Sequence, residues 1–214
     1  MSKKLALIGG GGHCRSIIAC LNLEFYDSII IVDHPEKIGK TIDGIKIEAT
    51  DDELPYLFSK GYTYAFIAIG SIKADSYRKK LAEKIKSIGF VFPSVIDKTA
   101  VIAKNTQICE GVFIGKNAVV NTGTIVKSHA IINTGTIVDH DCIIGDFVHL
   151  APGVVLSGSV QIGENSHIGT GTCIRQGVRI GEFTTIGMGS VVLDDIPSYC
   201  TAFGVPCKKV KTDE

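Results

Sequence analysis

Every sixth residue from Ile96 to Val192 is Ile, Val or Leu, seventeen times in succession. Two residues before each stands a small or β-branched residue, from Ser94 and Ala100 through to Thr184 and Ser190, again without a miss. A period of six fits neither a 3.6-residue helix nor the alternation of a hairpin array. It asks for a coil of short strands and corners. Three hexapeptides close one turn of a three-sided prism, so that equivalent residues recur every 18 positions. The aliphatic side chain points inward and stacks on its equivalent one coil on, roughly 4.8 Å away, the spacing of neighbouring strands. The small residue fits near the corner. Glycine follows the aliphatic at Gly115, Gly145, Gly163, Gly169, Gly181 and Gly187, where it is expected to supply a positive φ. Seventeen repeats make between five and six coils, and the unbroken frame leaves no place for a long inserted loop.

The rest of the composition narrows the function classes. Lys plus Arg and Asp plus Glu both number 22, so there is no basic footprint for nucleic acid. Hydrophobic residues at 45% and charged residues at 21% describe a folded chain. No apolar run approaches the roughly 18 residues of a membrane helix. The N-terminus lacks the pattern of a secretory signal, and a cytoplasmic location is expected. Seven cysteines, scattered from Cys14 to Cys207 with no CxxC pair, argue against a disulfide framework or a zinc ribbon. Residues 93–196 carry only 6 basic and 9 acidic residues, so part of the prism's outer surface is expected to be covered by neighbours.

The first ninety residues read differently. Residues 5–8, 29–32 and 64–69 are apolar runs of strand type. Residues 16–23, 51–60 and 73–88 have helical character, the last Lys-rich and amphipathic. Alternating strands and helices predict a small parallel, Rossmann-like α/β domain. Its first strand runs into Gly9-Gly-Gly-Gly-His13, the strand–glycine loop–helix order that favours a phosphate. Ligands of such sheets lie at the carboxyl ends of the strands. Those ends carry Gly11, Gly12 and His13, then Asp33 and His34, then Gly70 and Ser71. Asp33 suits a ribose hydroxyl or a base N–H. Ninety residues hold about half of a two-part dinucleotide sheet, so a nucleotide or nucleotide-sugar is expected rather than NAD.

Four of the six histidines fall in the repeats: His129, His140, His149 and His167. His140 lies between the inward positions 138 and 142, beside Asp141, and one coil below Gly158, which is expected to leave open space above its ring. A neutral imidazole can take a proton from an incoming nucleophile, and a carboxylate can fix its tautomer. Asp141 is the favoured orienter and Asp139 its competitor. His149 and His167 stack one coil apart, and His149, level with Gly158, is the better donor to a thioester carbonyl. Cys142 falls on an inward position and reads as core.

Together the N-terminal Gly-Gly-x-Gly-His, the run Val138-Asp-His-Asp-Cys142-x-Ile-Gly-Asp-Phe-x-His149 and the tail Gly204-Val-Pro-Cys207 resemble a known family over essentially the whole chain. It is that of the sialic-acid O-acetyltransferases and UDP-4-amino-sugar N-acetyltransferases. The resemblance implies a left-handed parallel β-helix of hexapeptide repeats and transfer of acetyl from acetyl-CoA to a sugar. It implies His140 as general base, Asp141 as its partner and His149 near the acetyl group. Gly158, Thr170 and Met188 would line the CoA groove. Gly11, Gly12, His13, Asp33, His34 and Gly70 would form the nucleotide-sugar site. Several members carry Glu where this chain has the shorter Asp141, and Ala where it has Cys207.

The resulting expectation has three parts: residues 1–92 bind the nucleotide-sugar, 93–196 form the acetyltransferase β-helix, and 197–214 are a tail. The substrate is a nucleotide-linked 4-amino-sugar, UDP-linked by preference, acetylated by direct transfer in bacterial glycan synthesis. The alternative is O-acetylation of a free sugar acid such as sialic acid, which would leave the glycine loop without a pyrophosphate. A zinc lyase on this fold needs three converging histidines, and no third partner joins His149 and His167 at short spacing. Residues 140 and 149 lie half a coil apart, on different sides of one prism. If both act on one acetyl group they come from adjacent chains, so a homotrimer with shared sites is expected.

Overall fold

The computed structural model describes residues 3–71 and 73–212. The chain divides into two compact units, Met1–Gly70 with Tyr77–Val95, and Ser71–Ser76 with Ile96–Glu214. The boundary thus falls three residues later than the sequence suggested. The short segment 71–76 belongs to the second unit, and so does the expected tail.

In the first unit the strands are β1 (Lys4–Ile8), β2 (Ser28–Val32), β3 (Thr41–Ile42), β4 (Ile45–Ala49) and β5 (Tyr64–Ile67). They form one sheet in the order β3-β4-β2-β1-β5. β4, β2, β1 and β5 run parallel, and only β3 is antiparallel to its neighbour. The central strand β1 is buried on both faces, with Leu5, Ala6 and Leu7 at 0% exposure, which is why it reads as a continuous apolar run. The helices are α1 (Gly12–Ile18), α2 (Leu54–Ser59) and α3 (Tyr77–Ile88). A capping box of Thr50 and Glu53 opens the turn that leads into α2. The β3–β4 hairpin was not expected. Its turn is Asp43-Gly44, both at positive φ (44° and 86°), the pairing a two-residue hairpin requires.

In the second unit each hexapeptide contributes a two-residue strand, and strands 18 residues apart pair in parallel, as in Ile131↔His149↔His167↔Thr185. Three such ladders form the faces of the prism, as the left-handed β-helix expectation requires. From Ile114 to Val192 every sixth residue is at most 3% exposed, and these aliphatic columns are the core. Ile96 departs from the pattern at 40% exposure; it belongs to the first coil, with no coil stacked beneath it. Buried hydroxyls at the small positions are satisfied by main-chain carbonyls, for example Thr124 Oγ1 to Asp139 O at 2.9 Å and Ser166 Oγ to Gly181 O at 2.8 Å.

The glycines behave differently from expectation. Positive φ recurs every sixth residue from Gly111 to Gly189, whether or not the residue is glycine: Asn117, His129, Asp141, Phe147, Ser159, Asn165 and Phe183 share it. Gly115, Gly145, Gly163, Gly169, Gly181 and Gly187 are not among them. Their requirement is space. A Cβ on Gly163 would lie 2.4 Å from Glu182 N, and one on Gly181 would lie 2.2 Å from Ser198 N. The backbone of one coil rests directly on that of the next.

Three further features position the site. Two main-chain groups ahead of α3 meet one ladder: Ser71 O accepts from His149 Nδ1 at 2.8 Å, and Ala74 N–H donates to Thr185 Oγ1 at 3.0 Å. A second ladder presents an apolar outer stripe of Val101, Val119, Ile137, Val155, Cys173 and Val191, with Val101 62% and Ile137 41% exposed. The former tail forms a hairpin, Cys200–Gly204 with Cys207–Thr212, that continues the His149 ladder.

Candidate active site

His140 and Asp141 sit on the corner that follows the apolar stripe. The imidazole Nδ1 lies 2.9 Å from Asp141 Oδ2, with side-chain exposures of 45% and 64%. A carboxylate accepts only, so Nδ1 carries the hydrogen and Nε2 keeps its lone pair. The bond from Asp141 raises the pKa of His140; desolvation opposes it, and the charges of Asp139 and Asp141 add to it. Asp139 is committed elsewhere: its Oδ1 accepts from His140 N–H at 2.8 Å and from Asn121 Nδ2 at 3.2 Å. The space expected to be open above the ring is taken up by the ring itself. It lies against Gly158, where a Cβ would stand 2.5 Å from both Cε1 and Nε2. Cys142 is fully buried, and burial pushes its thiol up to about 11.

His149 is on another face, buried at 7%, in edge contact with His167 at 5.0 Å between ring centroids. Its Nδ1 donates to Ser71 O, so its Nε2 is the acceptor for Asn133 Nδ2 at 3.2 Å. Both ring nitrogens thus have partners within the chain, Nδ1 with Ser71 and Nε2 with Asn133. The imidazole holds the Asn133 amide, whose Oδ1 accepts from Thr134 N–H at 2.8 Å. Asn133 carries no mark in the sequence reading. It is 16 residues from His149, outside the column spacing of 18. His167 is buried, and burial lowers its pKa.

The groove residues separate. Gly158 belongs to the His140 corner, whereas Thr170 and Met188 stack on a different corner, with Thr170 O accepting from Gly189 N–H at 2.8 Å. Met188 is 75% exposed. A groove of about 780 Å³ flanks the glycine column Gly145, Gly163 and Gly181 and includes none of the expected site residues.

In the first unit a cavity of about 200 Å³ opens at the strand ends, lined among others by Gly9, Asp33, His34 and Tyr77. Asp33 is only 6% exposed in its side chain and ties the loop together. Its Oδ2 accepts from Gly10 N–H and Lys37 Nζ, both at 2.8 Å, and its Oδ1 from His34 N–H at 2.7 Å. Burial raises its pKa, but these bonds outweigh it and hold the carboxyl below its ordinary value. Gly11 and Gly12 are exposed, with nothing within 4 Å of an added Cβ. Gly70 lies against His13, whose Cβ is 3.4 Å from the position a Gly70 Cβ would take. Burial, and then the Arg78 cation, push His13 down to about 4, so it is neutral at physiological pH. No trio of His, Cys, Asp or Glu side chains that could hold a metal occurs among the described residues.

The family model of the PglD N-terminal domain matches residues 4–85. The bacterial transferase hexapeptide model matches residues 159–194, and the hexapeptide repeat of succinyl-transferase matches 106–140. The GDP-perosamine N-acetyltransferase of Escherichia coli O157:H7 is 30% identical over 160 residues, 72% of this chain and 70% of that protein. The chain belongs to the hexapeptide-repeat sugar N-acetyltransferases. Within this family, a histidine-to-alanine variant of the Caulobacter crescentus GDP-perosamine N-acetyltransferase was solved with CoA and GDP-perosamine. It is 34% identical, covers 97% of each chain and has a TM-score of 0.91. The acetyltransferase domain of PglB from Neisseria gonorrhoeae, solved with acetyl coenzyme A, is 34% identical over 98% of this chain and 100% of that one, with a TM-score of 0.88.

Proposed function

We propose that this acetyl-CoA-dependent sugar N-acetyltransferase acylates the amine of a nucleotide-linked 4-amino-sugar by direct transfer, with His140 as general base. The observation that carries this reading is the 2.9 Å contact of His140 Nδ1 with Asp141, which leaves Nε2 as the basic atom. The amine attacks the thioester carbonyl as its proton passes to Nε2. The C–N bond forms, the C–S bond breaks, and the proton returns to the CoA thiolate. Asp141 keeps the imidazole in one tautomer and stabilises the imidazolium. Asn133, held by His149, has a second amide N–H for the carbonyl oxygen as negative charge develops there. No acyl-enzyme is required.

The active unit in this reading is a homotrimer packed about the apolar stripe. Such packing brings the corner of His140 and Gly158 in one chain beside the corner of Thr170 and Met188 in the next. Acetyl-CoA then lies between chains, and the separated groove residues become one groove. The sugar nucleotide is anchored at Gly11, Gly12, His13, Asp33, His34 and Gly70, beside the 200 Å³ cavity. The two GDP-perosamine N-acetyltransferases named above are named for a GDP-sugar, so UDP-, GDP- and dTDP-linked amino sugars belong in one assay panel. A cytoplasmic location belongs to this reading, supported by the reaction's use of acetyl-CoA and a sugar nucleotide, both made there.

Replacing His140 by Ala tests the chemistry. The side chain faces outward, so no core cavity forms. The expected result is a kcat lowered by roughly 10²–10⁴ with folding unchanged. Unchanged turnover at saturating acetyl-CoA removes His140 from the mechanism.

A further inference from the structure

The corner that carries His140 and Asp141 is fitted onto the coil beneath it. Asp141 has φ 59°, in the left-handed region, and its side chain leans down the prism. Its Oδ1 fills the space beside Gly123, 18 residues earlier: a Cβ there would stand 2.2 Å from Oδ1 and 3.3 Å from Cγ. The main chain is pinned from the same coil. Asp141 N–H donates to Thr122 O at 3.0 Å, and Asn121 Nδ2 holds Asp139 Oδ1, which receives His140 N–H. Asp139 is thereby drawn to the backbone, and Asp141 is the carboxylate left for the ring.

We propose that Gly123 is a positioning residue for the acetyl transfer, its missing side chain being the seat of the Asp141 carboxylate that orients His140. This rests on the reading of His140 as general base. The requirement is one of space and not of φ, and the fold supplies the control. Gly135 has φ +66° against +73° at Gly123, yet nothing lies within 4 Å of a Cβ placed there. Alanine at either position meets the same backbone cost; only at 123 does it meet a carboxylate. Asparagine is the second probe, because Asn117 already occupies an equivalent corner at φ 55°.

The charged groups acting on His140 are Asp139 and Asp141. The bond from Asp141 raises the imidazole's pKa, so unseating that carboxylate lowers it. The experiment compares Gly123→Ala and Gly123→Asn with Gly135→Ala and Gly135→Asn, each also in an Asp141→Ala background. One readout is the NMR titration of the His140 ring; the other is the pH profile of kcat/KM. We expect the Gly123 variants to titrate His140 at lower pH, to carry the acidic limb of the profile down with it, and to lose roughly tenfold or more in kcat. The Gly135 variants are expected to match the parent enzyme. In the Asp141→Ala background the Gly123 substitutions are expected to add nothing. Equal titrations for the 123 and 135 variants, in an enzyme that still depends on His140, overturn the role of Gly123. A lowered titration with unaltered turnover overturns instead the reading of His140 as the base. Asparagine covers the case in which alanine at 123 prevents folding.

Discussion

Gly163→Ala introduces a single methyl group at a residue of ordinary φ, and we expect it to be among the costly changes in the prism. The added Cβ would lie 2.4 Å from Glu182 N, 2.6 Å from Gly181 C and 2.7 Å from Glu182 Cα, all backbone. Ordinary contact begins at 3.4 Å, so the two coils must part by about 1 Å. Two ladder bonds straddle the point, Gly163 N–H to Ile180 O at 2.8 Å and Phe183 N–H to Glu164 O at 2.9 Å. Parting by that amount stretches both to roughly 3.8 Å, beyond hydrogen-bond range. Two lost bonds at about 1 kcal/mol each, with overpacking of about 1–3 kcal/mol, give a loss of roughly 3–5 kcal/mol. Gly153→Ala is the comparison. It sits at φ +69° with nothing within 4 Å of the new Cβ, and should cost only about 1–2 kcal/mol of left-handed strain. Equilibrium urea unfolding at one fixed protein concentration, which matters for an oligomer, should rank the midpoints parent, Gly153→Ala, Gly163→Ala. An equal or reversed order of the two variants refutes the claim that coil contact, and not φ, demands glycine at Gly163.

Asp141→Asn keeps a side chain suited to φ 59° but removes the charge that raises His140's pKa. The acidic limb of kcat/KM should therefore move to lower pH, with a smaller loss of kcat than in His140→Ala; a limb that stays in place refutes the pairing. Asp33→Ala releases Gly10 N–H, His34 N–H and Lys37 together, so KM for the sugar nucleotide should rise while KM for acetyl-CoA stays put. Equal rises in both would mean the two ligands are not held separately. Co-expressed His140→Ala and His149→Ala chains should regain part of the activity in mixed trimers if sites are shared. Native mass spectrometry would establish the mixing, and mixed trimers without activity rule out sharing.

The prism core was readable residue by residue because each inward position imposes its own chemical requirement, and from Ile114 onward each was met. The dyad was readable for the same reason: His140 and Asp141 stand between two core positions, hence on the outside. The error over Gly163 and its equivalents has a clear source. Spacing marks a glycine column but does not say whether torsion or crowding demands it. Asn133 was missed because it reaches His149 diagonally between coils. The contacts of Ser71 and Ala74 were invisible because they run through Ser71 O and Ala74 N–H, main-chain groups that almost every residue carries. The Asp43-Gly44 hairpin was missed because the strands beside it, Thr41–Ile42 and Ile45–Ala49, were too short and too polar to draw notice.

The meeting of His140 with Gly158, and of Asp141 with Gly123, makes the chain a counting device. Each contact joins residues 18 apart, so the site depends on phase as much as on composition. Deleting one hexapeptide between His140 and Gly158 would hand every later side chain to the neighbouring face and bring Glu164 to the place of Gly158. The imidazole would then meet an acidic side chain where it now meets bare backbone. Removing a whole coil there would bring Gln176 to the same place, so length can change without a collision only outside the three coils that hold Gly123, His140 and Gly158. Drift in length, tolerated in most surface loops, is thus barred from the middle of this prism.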